Sequence, residues 1–332
     1  MYSKKNKIVL IGSGYWGTNI ANNLVKLGVD KFYIFDVNHK NSITLKKRFP
    51  NKIEIIKDIN TCYSNSEYKY FIYATPPSIN YRLIKNALKN NKYIFIEKPG
   101  FKNLNEINKL ILKYPIASNR MMFGYIYTFN KYINYIKKFC NDKKNGKILY
   151  MKFQRQNLGP IRNDVNVSYD LSSHDISIIK YIFPKKKLKI LKSQSYKLLN
   201  SRISDISNLS FKIDNTFIDI NNSWINPDKI RRIIIITKKR MLLFDEMLVK
   251  DKLKIFNKYA SYPKIEMLKN NFFNRKIKIF IGKNFTPRMK ANDSLEDEIK
   301  HFLKFNNKKN KFCNVYFAKE ILKILADLKK KN

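Results

Sequence analysis

Lys98, Asp170 and His174 are the side chains whose types and spacing best suit the movement of a proton. Lys98 stands in Glu97-Lys98-Pro99, at the end of a short apolar run. His174 is one of three histidines and follows Asp170 by four residues, so on a helix the two share a face. A secondary alcohol that gives up a hydride needs a base at its hydroxyl, and the reverse reaction needs an acid. An imidazole oriented by a carboxylate suits either task. The local sequence also permits a plainer reading. Asp170 or Ser172 can simply cap a helix in which His174 is packed, and Lys98 taken alone can be one more surface lysine.

A second group of residues suits phosphates. Gly12-Ser13-Gly14-Tyr15-Trp16-Gly17 is a G-x-G-x-x-G that follows the apolar run 8–11 and opens a stretch with Ile20, Leu24 and Leu27 at helical spacing. Gly12 allows the tight turn, Gly14 lets backbone approach a pyrophosphate, and Gly17 lets the helix pack close to the strand. The helix start then offers free N–H groups to the phosphates. A second strand, 32–35, ends in Asp36, 19 residues after Gly17. A carboxylate there accepts from ribose hydroxyls and repels a 2′-phosphate, which predicts NAD over NADP. Tyr15 and Trp16 either cover this cofactor or pack behind the loop.

The elements that must hold these residues alternate. Strands are expected at 7–11, 32–35, 70–73 and 93–96, and helices at 79–88 and 104–112. That pattern predicts an α/β fold, a doubly wound parallel sheet with ligands at the carboxyl ends of its strands. Thr75 and Lys98 then share the cofactor edge. Beyond residue 122 the pattern changes. Runs at 147–155, 209–213, 216–220, 231–237 and 241–244 predict an open, mostly antiparallel sheet in an α+β domain, with Lys238-Lys239-Arg240 as a basic hairpin turn. Helices are expected at 294–304 and 315–329, the first opened by Ser294 with Asp297 as a capping box and the second closed by the basic 329–331. A loop joins them at 306–311. The expected division is 1–122, a dinucleotide-binding domain, and 123–332, a substrate and oligomerisation domain.

With its glycine loop, Ala74-Thr75-Pro76-Pro77-Ser78, Glu97-Lys98-Pro99 and Asp170-Leu171-Ser172-Ser173-His174-Asp175, the chain resembles the Gfo/Idh/MocA family of NAD(P)-dependent oxidoreductases over nearly its whole length. The segment 155–166, followed by Tyr169-Asp170-Leu171, and the Gly14 to Asn19 opening are similar to a branch found in surface-polysaccharide gene clusters. The resemblance implies hydride transfer to or from a secondary alcohol or ketone of a nucleotide-linked (UDP-) sugar. It implies Lys98, His174 and Asp170 as catalytic residues and Thr75, Pro76, Glu97 and Lys98 as cofactor contacts. Arg155, Asn157 and Arg162, with Asp170 and His174, are the candidate substrate contacts, since Arg offers a fork to phosphate or carboxylate; ordinary pairing is their plainer reading. Asn80 stands where the family pattern often has His. Alternatives are a dehydrogenase of a free sugar, inositol or another small metabolite, or a catalytically silent NAD-binding sensor.

Composition bounds the rest. The 332 residues are 44% hydrophobic and 14% aromatic, too apolar for a disordered chain and long enough for two domains. Cys62, Cys140 and Cys313 lie far apart, which suits a reducing cytoplasm and argues against a disulfide framework or a metal site. The basic N-terminus and the run after it imitate a signal peptide, but Gly12 ends that run too soon. No run approaches a membrane span. The net charge of +42 comes from 67 Lys and Arg against 25 Asp and Glu, but only 11 of the 67 are Arg and the Lys residues are scattered over the whole chain. That argues for codon composition over a specific nucleic-acid reader, while favouring an anionic sugar substrate. An open sheet face predicts a homodimer or homotetramer.

Overall fold

The computed structural model describes residues 6–199, 202–261, 277–304 and 313–330. Two compact units emerge: Met1–Asn130 with Asn292–Ala326, and Lys131–Ala291 with Asp327–Asn332.

The first unit is a six-stranded parallel sheet in the order β3-β2-β1-β4-β5-β6. Its strands are β1 (Lys7–Ile11), β2 (Phe32–Phe35), β3 (Ile53–Ile55), β4 (Tyr68–Tyr73), β5 (Tyr93–Glu97) and β6 (Met121–Gly124). Ile8 to Ile11 and Tyr93 to Ile96 are all buried, because helices cover both faces of a parallel sheet and no polar alternation is needed. The connecting helices are α1 (Tyr15–Lys26), α2 (His39–Arg48), α3 (Asn60–Ser64), α4 (Pro77–Lys89) and α5 (Leu104–Lys113). Pro77 opens α4, where its missing N–H costs nothing.

The second unit holds α6 (Lys131–Asn141), α7 (Ser173–Ile182) and a seven-stranded sheet ordered β13-β12-β11-β7-β10-β9-β8. The strands are β7 (Ile148–Leu158), β8 (Lys189–Tyr196), β9 (Ile206–Ile213), β10 (Thr216–Ser223), β11 (Ile225–Thr237), β12 (Met241–Asp245) and β13 (Leu253–Phe256). The sheet is mostly antiparallel, with one parallel pair, β7 with β10. The basic turn 238–240 joins β11 to β12. A small hairpin, β14 (Lys258–Ser261) and β15 (Lys278–Ile281), stands apart from this sheet.

Helices α8 (Ser294–Leu303) and α9 (Val315–Lys329) follow. Here the contact pattern differs from the expected division. α8 and most of α9 belong to the first unit, because Phe302 packs its ring on Tyr70 and Phe95 of the parallel sheet. The cap of α8 is also one residue earlier than expected: the Asp293 carboxylate accepts from the Leu295 and Glu296 N–H groups, and Ser294 is the first helical residue. The expected loop 306–311 and Lys331 lie outside the described residues. Among the described residues no helix is long and apolar enough to cross a membrane.

Candidate functional site

The glycine loop is shaped by what a side chain would strike. Gly12 has φ +91°, and a Cβ there would stand 2.5 Å from the Ala74 carbonyl oxygen, so the β1 and β4 ends close tightly only over glycine. A Cβ on Gly17 would lie 2.0 Å from the Gly12 carbonyl oxygen. Gly14 is different: nothing lies within 4 Å of its Cβ position, and as N-cap of α1 it leaves the first N–H groups without a side-chain cap. Open space above uncapped N–H groups is what an incoming pyrophosphate requires.

Asp36 receives three bonds. Its Oδ2 accepts from the Ser13 N–H (2.6 Å) and hydroxyl (2.8 Å), and its Oδ1 accepts from the Asn38 N–H (2.9 Å). Asp36 therefore ties the glycine loop to the end of β2, and its part-exposed oxygens face the cavity. That cavity, about 530 Å³, is lined by Gly12, Gly14, Asp36, Thr75 and Pro76 together with Tyr63, Ile79 and Arg82. Tyr15 and Trp16 are 78% and 40% exposed at the start of α1, their rings edge to face at 5.8 Å. They do not pack behind the loop. The cradle, the uncapped helix start and the acid after β2 fit a dinucleotide.

Lys98 sits at the carboxyl end of β5, half-buried. Glu97 pairs in register with Gly124 of β6, and its carboxylate oxygens lie 2.9 and 3.2 Å from where a Cβ on Gly124 would be. Burial pushes Glu97 up to about 7, against the pull of the Lys98 charge and backbone N–H. Asn80, fully buried, was noted in the sequence only as a departure from a pattern. It accepts from the Thr75 hydroxyl and donates to the Gly100 carbonyl (2.6 Å), so one amide ties the loop after β4 to the segment that carries Lys98.

In the second unit, Asp170 lies in a π turn, Ser168–Ser172, that runs directly into α7 with His174 in its first turn. Such wide turns recur at functional positions. The Ser173 hydroxyl donates to the Asp170 carbonyl (2.7 Å), and Ser177 donates to that of His174 (2.6 Å). Arg162 forks onto Asp164 at 2.9 and 2.6 Å, with Asp170 at 3.9 Å from its third nitrogen. The Asn157 amide donates to the Gly159 carbonyl. Arg155 departs from its expected substrate role. It is buried on the covered face of β7 and forks onto Oδ1 of Asp175 (Nε 3.2 Å, Nη2 3.0 Å), whose Oδ2 accepts from Asn222 (3.2 Å). His39 is exposed at the start of α2, and His301 is exposed beside Phe129. Among the described residues no cluster of three or more His, Cys, Asp or Glu could hold a metal ion.

Comparison with known proteins agrees with this geometry. Residues 6–125 match the family model described as oxidoreductase family, NAD-binding Rossmann fold, of Gfo/Idh/MocA type. A curated relative, 2,7-anhydro-N-acetylneuraminate hydratase of Mediterraneibacter gnavus, is 23% identical over 141 residues, 42% of this chain and 37% of that protein's length. Among solved structures, UDP-N-acetylglucosamine 3-dehydrogenase of Acidithiobacillus ferrooxidans superposes with TM-score 0.73 at 16% identity, covering 98% of this chain and 97% of that one. The enzyme GenD2 from gentamicin A biosynthesis, in complex with NAD, gives 0.75 at 12% identity, covering 100% and 95%. At such identities the structures show a shared fold, while residues 6–125 are similar to the NAD-binding Rossmann domain of the Gfo/Idh/MocA oxidoreductase family.

Proposed function

We propose that the chain uses NAD to move a hydride to or from a secondary alcohol or ketone of a sugar, a UDP-linked one in surface-polysaccharide biosynthesis. One observation carries the reading: a dinucleotide cradle and a half-buried lysine occupy the same carboxyl edge of one parallel sheet. A bound nicotinamide supplies the hydride acceptor or donor. The chain's residues do the rest. Gly14 and the start of α1 hold the pyrophosphate, and Asp36 holds the ribose and selects against a 2′-phosphate. Lys98 steadies the reacting oxygen and carries its proton at Nζ. His174 is the second unit's candidate for the same proton, oriented by Asp170. Arg162 and Asn157, which lie outside the buried Arg155 pair, remain the candidate substrate contacts. The fold shared with a UDP-N-acetylglucosamine 3-dehydrogenase supports a nucleotide-sugar substrate, and the charge of +42 favours an anionic one. The open face of the second sheet supports assembly as a dimer or tetramer.

The test is absorbance at the reduced-nicotinamide band when UDP-sugars and free sugars are added with NAD. A rise with one UDP-sugar, lost in Lys98→Ala and His174→Ala, is expected. Turnover on free sugars alone overturns the UDP assignment, and tight NAD binding without turnover favours a sensor. The hydratase among the relatives adds another outcome: product by mass spectrometry with no net change at that band.

A further inference from the structure

Helix α8 brings a second carboxyl to the Lys98 edge of the sheet. Phe302 rests on Phe95 of β5, ring centroids 5.6 Å apart. Glu298 precedes Phe302 by one helical turn, about 5.4 Å. Glu97 follows Phe95 by two residues on the same face of β5, about 6.6 Å. With Phe302 and Phe95 in contact, both carboxyls lie within one turn or two strand residues of that contact, and the Glu97 charge acts on Glu298. Glu298 is fully buried, and neither of its carboxyl oxygens has a hydrogen-bond partner among the described residues. A carboxyl so placed is costly for stability, since burial of an unsatisfied polar group is unfavourable. It contrasts with Cys313 nearby, whose thiol meets the Thr128 hydroxyl at 3.0 Å.

We propose that Glu97 and the buried Glu298 act as an acid pair in which Glu298 keeps its proton while Glu97 ionises, and that the negative charge Glu97 then carries makes the site hold oxidised nicotinamide more tightly than reduced. The inference rests on the nicotinamide reading above. The topology supplies the location: Asp36, after β2, claims the adenosine half, so the nicotinamide half extends toward β4 and β5. The oxidised ring carries a positive charge that the reduced ring lacks, and a carboxylate at the end of β5 attracts only the former. Two carboxyls enclosed together cannot both ionise cheaply. Burial and the Glu97 charge hold Glu298 well above the ordinary carboxylate range, so Glu97 ionises first. The titratable and charged groups that act on or feel the pair are Lys98 beyond β5 and Cys313 before α9. Burial, then the Glu298 charge, keeps the Cys313 thiol raised and neutral. Glu298 is thus a positioning residue, acting through Glu97 and Lys98.

The test is calorimetric titration of the full chain with NAD and with NADH from about pH 5.5 to 9. The ratio of the two dissociation constants should rise toward NAD with pH by about tenfold, first through a step centred near 7, with any further step from Glu298 at higher pH. Glu298→Gln should leave one step. Glu97→Gln should also leave one, at lower pH than the second step of the native chain, because the neighbouring charge is gone. The double variant should be flat. A native ratio independent of pH, or a double variant that titrates like the native chain, overturns the inference. Absence of binding by either form sinks the nicotinamide reading and this inference with it, and shows as missing heat rather than a flat ratio. Glutamate ¹³C NMR without cofactor is the second measurement. Glu298, assigned by its loss in Glu298→Gln, should titrate well above 4.5; titration near 4.5 overturns the pair.

Discussion

Each unit buries an acidic cluster, and the two are built in opposite ways. In the second unit Asp175 is enclosed with Arg155 forked onto one oxygen and Asn222 on the other, while the Ser172 hydroxyl donates to the Asn222 carbonyl. Every group there has its complement. In the first unit Glu298 is enclosed with no hydrogen-bond partner among the described residues, beside a second carboxyl. A satisfied network holds its surroundings rigid and resists change. An unsatisfied acid costs stability and remains free to take up or release a proton. The difference separates a structural cluster from one poised for chemistry, although both look alike as isolated Asp and Glu codes.

Breaking the satisfied cluster should have the largest effect. Asp175→Ala strands the Arg155 guanidinium, and loss of one member of a buried ion pair costs about 3–5 kcal/mol. Denaturant unfolding should show that loss, with Arg155→Met/Asp175→Leu recovering much of it, because a well-packed apolar replacement leaves no unpaired charge. If Asp175→Ala unfolds at the native midpoint, the cluster is not structural. The opposite sign is expected in the first unit. Glu298→Leu near pH 8 should stabilise by about 1–3 kcal/mol, since it removes an unsatisfied buried polar group. A destabilised Glu298→Leu would mean that the carboxyl is satisfied after all.

How far these clusters were legible in the sequence differs for a physical reason. The glycine loop and Asp36 are contiguous or nearly so, and each residue's task follows from local backbone, so both were readable. The parallel sheet was readable from its apolar runs. Arg155 misled, although the signal was present: it shares strand parity with Met151 and Phe153, both fully buried, so its side chain had to point into the core. Reading it as a substrate contact ignored that alternation. Glu298 gave no local signal. Its environment is made by β5, some 200 residues earlier in the chain, and the expected division placed α8 in the wrong unit. Asn80 was visible only as a departure, because its two partners, Thr75 and Gly100, come from separate loops.

A smaller effect sharpens the comparison within the satisfied network. Ser172→Ala removes the hydroxyl that donates to Asn222 and should cost about 1 kcal/mol by denaturant unfolding, the ordinary worth of one buried hydrogen bond. An unchanged midpoint would show that Asn222 finds its partner elsewhere and that the network is looser than its geometry.

The remaining prediction is the pH dependence of Glu298→Gln, and its sign is fixed. In the unfolded chain both glutamates ionise near their ordinary 4.5; in the folded chain burial raises Glu97 to about 7 and Glu298 further still. The folded state therefore binds more protons above pH 4.5. Stability attributable to these groups falls as pH rises from about 4.5 to the folded value of each. At pH 4, where both states are protonated, Glu298→Gln exchanges one neutral buried group for another of similar size and should leave the midpoint nearly unchanged. As pH rises toward 8 the native chain loses stability that the variant keeps, so the two unfolding curves should separate in favour of the variant. Glu97→Gln should separate in the same direction but stop near pH 7, where Glu97 has ionised in the folded chain as well. Parallel native and Glu298→Gln stability profiles from pH 4 to 8 would place Glu298 in the same class as Asp175 and erase the distinction between the two clusters.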